Sequence, residues 1–240
     1  MELQITLSFR ADVCNAMLSN RKPRFNLHQE GISLTMTSSE GNLEHFPHTS
    51  AFCNCETQLT DIIADLQTLS DNPPINALDG LISDNLYLVE RRLVVLITSF
   101  SESNHKSYCH SVSKACFLAA LIYLYSCLRD YPVQAPLFDS FVTSLREALF
   151  SSGYEQDWQP NNYSLLVWVL TAGALNAVGR PERSRFVHEL ADIVKKMGIT
   201  RFQEFADTAR RIVWIDREDV RREAAWRSLW WEIEALTGPR

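Results

Sequence analysis

Apolar residues recur at three- and four-residue intervals through most of this chain, and strict alternation is rare. In TQLTDIIADLQTL, Leu59, Ile62, Ile63, Leu66 and Leu69 share one helical face. The turn SDNPPIN supplies the stop. The spacing predicts a second amphipathic helix over 79–100, with Leu86, Val89, Leu93, Leu96 and Ile97 turned inward. Residues 113–129 are apolar almost all round, as a central buried helix is, and end at RDYPVQAP. A fourth helix over 138–150 offers Phe141, Val142, Leu145, Leu149 and Phe150 to the core. The fifth, 163–178, is again apolar on nearly every side and stops at the glycine of VGRPE. Pro181 opens the sixth at the first-turn position, where its missing N–H costs nothing, and that helix runs to Gly198. Residues 202–212 and 215–236 give the last two.

No series of alternating β-branched segments separated by turns accompanies these helices, so the fold class is all-α. Two helices apolar all round, flanked by amphipathic ones, imply a single layered helical bundle. Residues 1–55 carry no sustained period, and TMTSSEGNLEHFPHTS mixes Ser, Thr and His with Gly and Pro breaks. The expected organisation is a loosely ordered N-terminal arm over 1–55 and an all-α domain over 56–240. Within the arm, GISLTM alternates enough for a short strand.

A length of 240 residues fits one large domain. Apolar and charged fractions of 46% and 22% exclude wholesale disorder. The net charge of −6 argues against a non-specific nucleic-acid coat, whose affinity comes from clustered Lys and Arg. That charge is unevenly placed: residues 181–236 hold eleven basic and eleven acidic side chains, so the acidic excess lies in the front of the chain. The opening MELQITLSFRADVC lacks a basic n-region before an apolar run. The runs CFLAALIYLYSCL and LLVWVLTAGALNAV fall short of the roughly 20 residues of a membrane span. A cytoplasmic protein without a membrane association is expected, and six irregularly spaced cysteines fit reduced thiols.

Most chemical signatures are missing. Cys53 and Cys55 have no second pair nearby, and His105, Cys109, His110 and Cys116 span a loop and an apolar helix, so no tetrahedral zinc set converges. No phosphate loop, GxGxxG or GxSxG occurs. His188 reads as a surface or capping histidine. No metal or cofactor is expected.

The segment IDREDVRREAAWRSLWWEIEAL stands out. At helical spacing Asp216, Asp219 and Glu223 share a face, and Trp226 and Trp230 continue it. Val220, Ala224, Leu229, Ile233 and Leu236 form a neighbouring apolar stripe that would anchor the helix. A carboxylate row running into aromatics suits a clamped cation or a general base. Arginine fits such a site, because carboxylates take its guanidinium in a bidentate fork and indoles stack on it. A plainer reading is available: Glu218–Arg222 and Glu223–Arg227 are i, i+4 pairs of the kind that stabilise an exposed helix.

Three segments in order, KACFLAALIYLYSCLRDYP, LLVWVLTAGALNAVGRPERSRFVHELADIVKKMGI and IVWIDREDVRREAAWRSLWWEI, resemble the α-helical domain of fungal-specific transcription factors over about half the chain. Regulators of that family carry a DNA-binding cluster of six closely spaced cysteines, whereas here the six are scattered from 14 to 127. The resemblance therefore implies a non-enzymatic regulatory or interaction domain, nuclear in location, that does not bind DNA directly.

The helical pattern and length are also similar to the arginine-containing cyclodipeptide synthases of fungi, which join arginine to a second amino acid from aminoacyl-tRNAs in secondary metabolism. Their Asp-Asp-x-x-Glu hallmark is matched by Asp219-Val220-Arg221-Arg222-Glu223, with Val220 in the second position, or by a motif opening at Asp216. This resemblance implies Asp216, Asp219 and Glu223 as catalytic, and Glu218, Trp226 and Trp230 as substrate-binding. It also implies Arg180, Arg183, Arg185, Lys195, Lys196, Arg210 and Arg211 as contacts to arginyl-tRNA and a second aminoacyl-tRNA, with ordinary surface charge as their alternative. An aminoacyl ester is already activated, so positioning and a base suffice without nucleotide or metal.

Overall fold

The computed structural model describes residues 54–71, 80–102, 108–150, 158–213 and 220–238. These contain eight α-helices and no strand, so the fold is all-α. The N-terminal arm, including GISLTM, lies outside the described residues except for Asn54 and Cys55, which open the first helix.

Helix α1 spans Asn54–Asp71 and buries Leu59, Ile62, Ile63, Leu66 and Leu69, the face its spacing predicts. Helix α2, Gly80–Glu102, buries Leu86, Val89, Leu93 and Val94, while Leu96 and Ile97 are half-buried at its edge. Helix α3, Tyr108–Tyr123, is buried continuously from Ala115 onward and widens into a π-turn over Leu124–Leu128. Helix α4 is Leu137–Leu149, with Phe138, Phe141, Val142, Leu145 and Leu149 inward. A 3-10 turn at Pro160–Asn162 leads into α5, Tyr163–Asn176, buried from Leu165 to Leu170 without a break.

The remaining helices are α6, Arg183–Lys196, α7, Phe202–Arg210, and α8, Val220–Thr237. Pro181 does not open α6, which starts two residues later behind Glu182. The intervening turn is closed by the Arg180 N–H on the Ala177 carbonyl at 3.0 Å and needs the positive φ of 79° that Gly179 supplies.

Helices α3 and α5 lie side by side at the centre. Helices α1, α2 and α4 cover α3, and α4, α6, α7 and α8 cover α5. Ser111–Leu128 is long and apolar enough to cross a membrane by composition, more than the sequence runs suggested, because the stretch extends back through Ser111. In this fold 78% of it is buried inside the bundle, which accounts for its hydropathy without a bilayer.

Helices α5 and α6 approach each other closely at Gly173. A Cβ built on Gly173 would lie 2.8 Å from Cε1 of Phe186, whose ring is fully buried. Gly173→Ala is therefore expected to lower stability by about 1–2 kcal/mol in urea unfolding, because overpacking outweighs the better helix propensity of alanine.

Candidate functional site

The described polar groups converge where α3 ends. The π-turn is closed by the Arg129 N–H on the Leu124 carbonyl at 2.9 Å and the Tyr131 N–H on the Tyr125 carbonyl at 3.0 Å. Asp130 follows with φ 53°, a left-handed conformation that Asp tolerates better than most side chains. Pro132 then prevents the helix from resuming. Such π-turns often mark functional positions, which makes the groups around this one worth tracing.

Glu90 enters from α2 and is 3% exposed. Its two carboxylate oxygens are both engaged: the Tyr125 hydroxyl donates to Oε1 and the Arg129 guanidinium to Oε2. The Tyr125 ring is in turn held edge-on by Tyr131, at 5.4 Å between centroids, and packs on Phe141 at 5.5 Å. From α8, Arg222 donates to the carbonyls of Ser126 at 3.3 Å and Cys127 at 3.4 Å, and to Asp130 Oδ1 at 2.9 Å. A guanidinium at a helix C-terminus meets both orphan carbonyls and the negative end of the dipole.

Two neighbours complete the junction. Tyr123 and Ser70 of α1 share a buried hydrogen bond of 2.8 Å between their hydroxyls. Burial pushes the Tyr123 phenol far above the usual range, so it stays neutral. Burial likewise pushes up the Cys116 thiol, which leaves no thiolate there near neutral pH. The junction thus fastens α1, α2, α3 and α8 to one another through hydrogen bonds and an ion pair, the geometry of a structural clamp, with the buried Arg129 Nε left without a hydrogen-bond partner among the described residues. Sequence reasoning overlooked it, although one signal was present: Glu90 sits on the buried face of α2 between Leu86 and Leu93.

The carboxylate row expected on the last helix is described only at Glu223, since Asp216, Glu218 and Asp219 lie outside the described residues. Glu223 is exposed and accepts from Arg227 Nη2 at 2.7 Å and Nε at 3.0 Å. The Arg227 guanidinium lies 4.7 Å from the Phe202 ring centre. Trp226 and Trp230 are buried against Phe205, at 5.6 and 5.5 Å between centroids, beside Leu229 and Ile233. The anchoring stripe is corrected accordingly: Ala224 and Leu236 are exposed, and the two indoles take the inward positions. Their larger apolar area decides the rotation of the helix. Glu223 and the indoles consequently part company, one to solvent and the others to the core.

Of the basic residues, Arg180 is nearly buried, pairs with Asp139 at 2.7 Å and donates to the carbonyls of Val133 at 2.9 Å and Asn176 at 3.0 Å. Arg183 reaches from α6 to Glu232 of α8 at 2.6 Å. Arg185 pairs with Glu189 at 2.8 Å and lies 4.8 Å from the Phe150 ring centre. Lys195, Lys196, Arg210 and Arg211 are exposed. Arg180 and Arg183 thus hold helices and loops in place, whereas the other five, Arg185 included, are exposed. At the junction, Arg129→Met is expected to cost about 3–5 kcal/mol in denaturant unfolding, because it strands the buried Glu90 charge. Glu90→Gln, which keeps hydrogen-bonding oxygen and amide groups, should cost less in the same experiment.

A family model described as fungal specific transcription factor domain matches residues 26–233. Searches of curated proteins and of solved structures gave no match. The matched span starts ahead of α1, takes in both central helices and the junction, and ends inside α8. On that coverage, the chain belongs to the fungal specific transcription factor domain family.

Proposed function

We propose that this chain is a regulatory and interaction module of the transcription-factor type, non-enzymatic, and working in the nucleus through protein partners instead of direct DNA contact. The observation that carries the reading is the family match, which runs from residue 26 through the described helices to residue 233. The side chains around the C-terminal segment are consistent with it. Arg222, Trp226 and Trp230 are spent on fastening α8 to α3 and α7, and Glu223 on Arg227. The scattered cysteines of these 240 residues offer no six-cysteine zinc cluster, so the reading assigns these residues no DNA contact of that kind.

The other expectation, an arginine-using cyclodipeptide synthase working on aminoacyl-tRNAs, draws no support from the described geometry. The indoles that would stack on arginine are in the core, and two of its three acids are not described.

One pair of experiments separates the two readings. Fused to a heterologous DNA-binding domain in a fungal reporter strain, the chain is expected to change transcription several-fold; a folded, nuclear fusion that leaves the reporter unchanged overturns the regulatory reading. Mass spectrometry of a host expressing the chain alone should reveal no new arginine-containing cyclic dipeptide. Such a product, lost on Glu223→Ala in a folded protein, would instead establish the synthase.

A further inference from the structure

Three irregularities coincide at the end of α3. The helix widens into the π-turn Leu124–Leu128, a geometry less favourable than the α-helix it interrupts. Asp130 takes a φ of 53° although it has a Cβ, where a glycine would meet no steric cost. Between them the Arg129 Nε is buried with no hydrogen-bond partner among the described residues, and a buried donor left unpaired costs more than a typical made bond returns. A conformation that carries three such costs persists only where its surroundings hold it.

Two other helices do the holding. From α8, Arg222 donates to the Ser126 and Cys127 carbonyls and to Asp130 Oδ1, so one guanidinium spans the turn and the left-handed residue after it. From α2, Glu90 takes the Tyr125 hydroxyl on one carboxylate oxygen and the Arg129 guanidinium on the other, and so grips the same turn. Both grips depend on the extra residue that the π-turn accommodates. Were the turn to close as an α-helix, the residues after it would rotate by one position, about 100° around the helix axis. Arg129 would then swing away from Glu90, and Asp130 from Arg222.

We infer that the end of α3 is a two-state latch through which α8 and α2 control each other. With Arg222 seated, the π-turn is held and Arg129 stands on Glu90. With Arg222 withdrawn, the turn closes to an α-helical ending, Arg129 leaves, and the buried Glu90 loses its counter-charge, so α2 loosens from α3. The coupling is reciprocal, since whatever frees Glu90 also unseats Arg222. A partner that engages the first turn of α8 is thereby felt at α2. The latch does not rest on the regulatory reading, because its readouts come from the isolated full chain and involve no transcription.

Amide hydrogen exchange of the full chain, followed by NMR, tests it. Arg222→Met is expected to speed exchange at the Arg129 and Tyr131 amides and at residues 89–93 of α2, at least tenfold more than at residues 165–170 of α5, which report global stability. Glu90→Gln should speed exchange at residues 226–230 of α8 beyond the same α5 reference. In the double variant the two effects should fall well short of multiplying, because either change alone already opens the latch. Should Arg222→Met fail to fold, Asp130→Asn decides instead. Asn keeps the left-handed conformation but removes the charge facing Arg222, and the same amides are then expected to exchange about threefold faster, again relative to α5. An acceleration confined to α8, one in α2 no larger than in α5, or effects that multiply in the double variant overturns the inference.

Discussion

Two helices with no polar side must be enclosed on every side, and that requirement arranges the rest of the described bundle. Neither α3 nor α5 offers a face that water could wet at low cost, since each large apolar side chain loses about 1.5–3 kcal/mol on exposure. Lying side by side, they cover part of each other, and the amphipathic helices cover what remains. The close contact of Gly173 with Phe186 belongs to the same requirement, because it lets α6 sit tightly against α5.

The enclosure has one awkward place, the end of α3, where backbone carbonyls are orphaned inside the protein. A π-turn, a left-handed Asp130 and the Arg222 guanidinium resolve it together. Glu90 supplies the counter-charge that lets Arg129 reside there, and Tyr125 occupies the second carboxylate oxygen. The result is a polar core region whose members come from helices far apart in sequence. Its chemistry is spent on holding the bundle together.

Much of this was legible in the chain. The three- and four-residue spacing of Leu59, Ile62, Ile63, Leu66 and Leu69 predicts α1 because these five large apolar residues point the same way. The two all-apolar runs announce the central helices for the same reason. Helix α8 was misread because apolar residues lie on two of its sides, and periodicity alone cannot say which side faces inward; the bulk of Trp226 and Trp230 settles it. Pro181 misled because the tight turn around Gly179 takes up the residues that a direct helix start would have used. Glu90 was readable in principle, as an acid in register with leucines, but its partners Tyr125 and Arg129 are more than thirty residues away. The candidate acids divide differently: Glu223 lies on α8, whereas Asp216 and Asp219 fall outside the described residues.

The two arginine contacts on α8 have a mechanical consequence. Arg222, near its start, is bound to the end of α3, and Glu232, near its finish, is bound by Arg183 of α6. A helix pinned at one end can swing as a lever, but one pinned at both ends to different neighbours has no pivot. Helix α8 is therefore a strut: strain applied to it passes between the α3 side of the bundle and the α6 side, and its detachment requires both fastenings to open together.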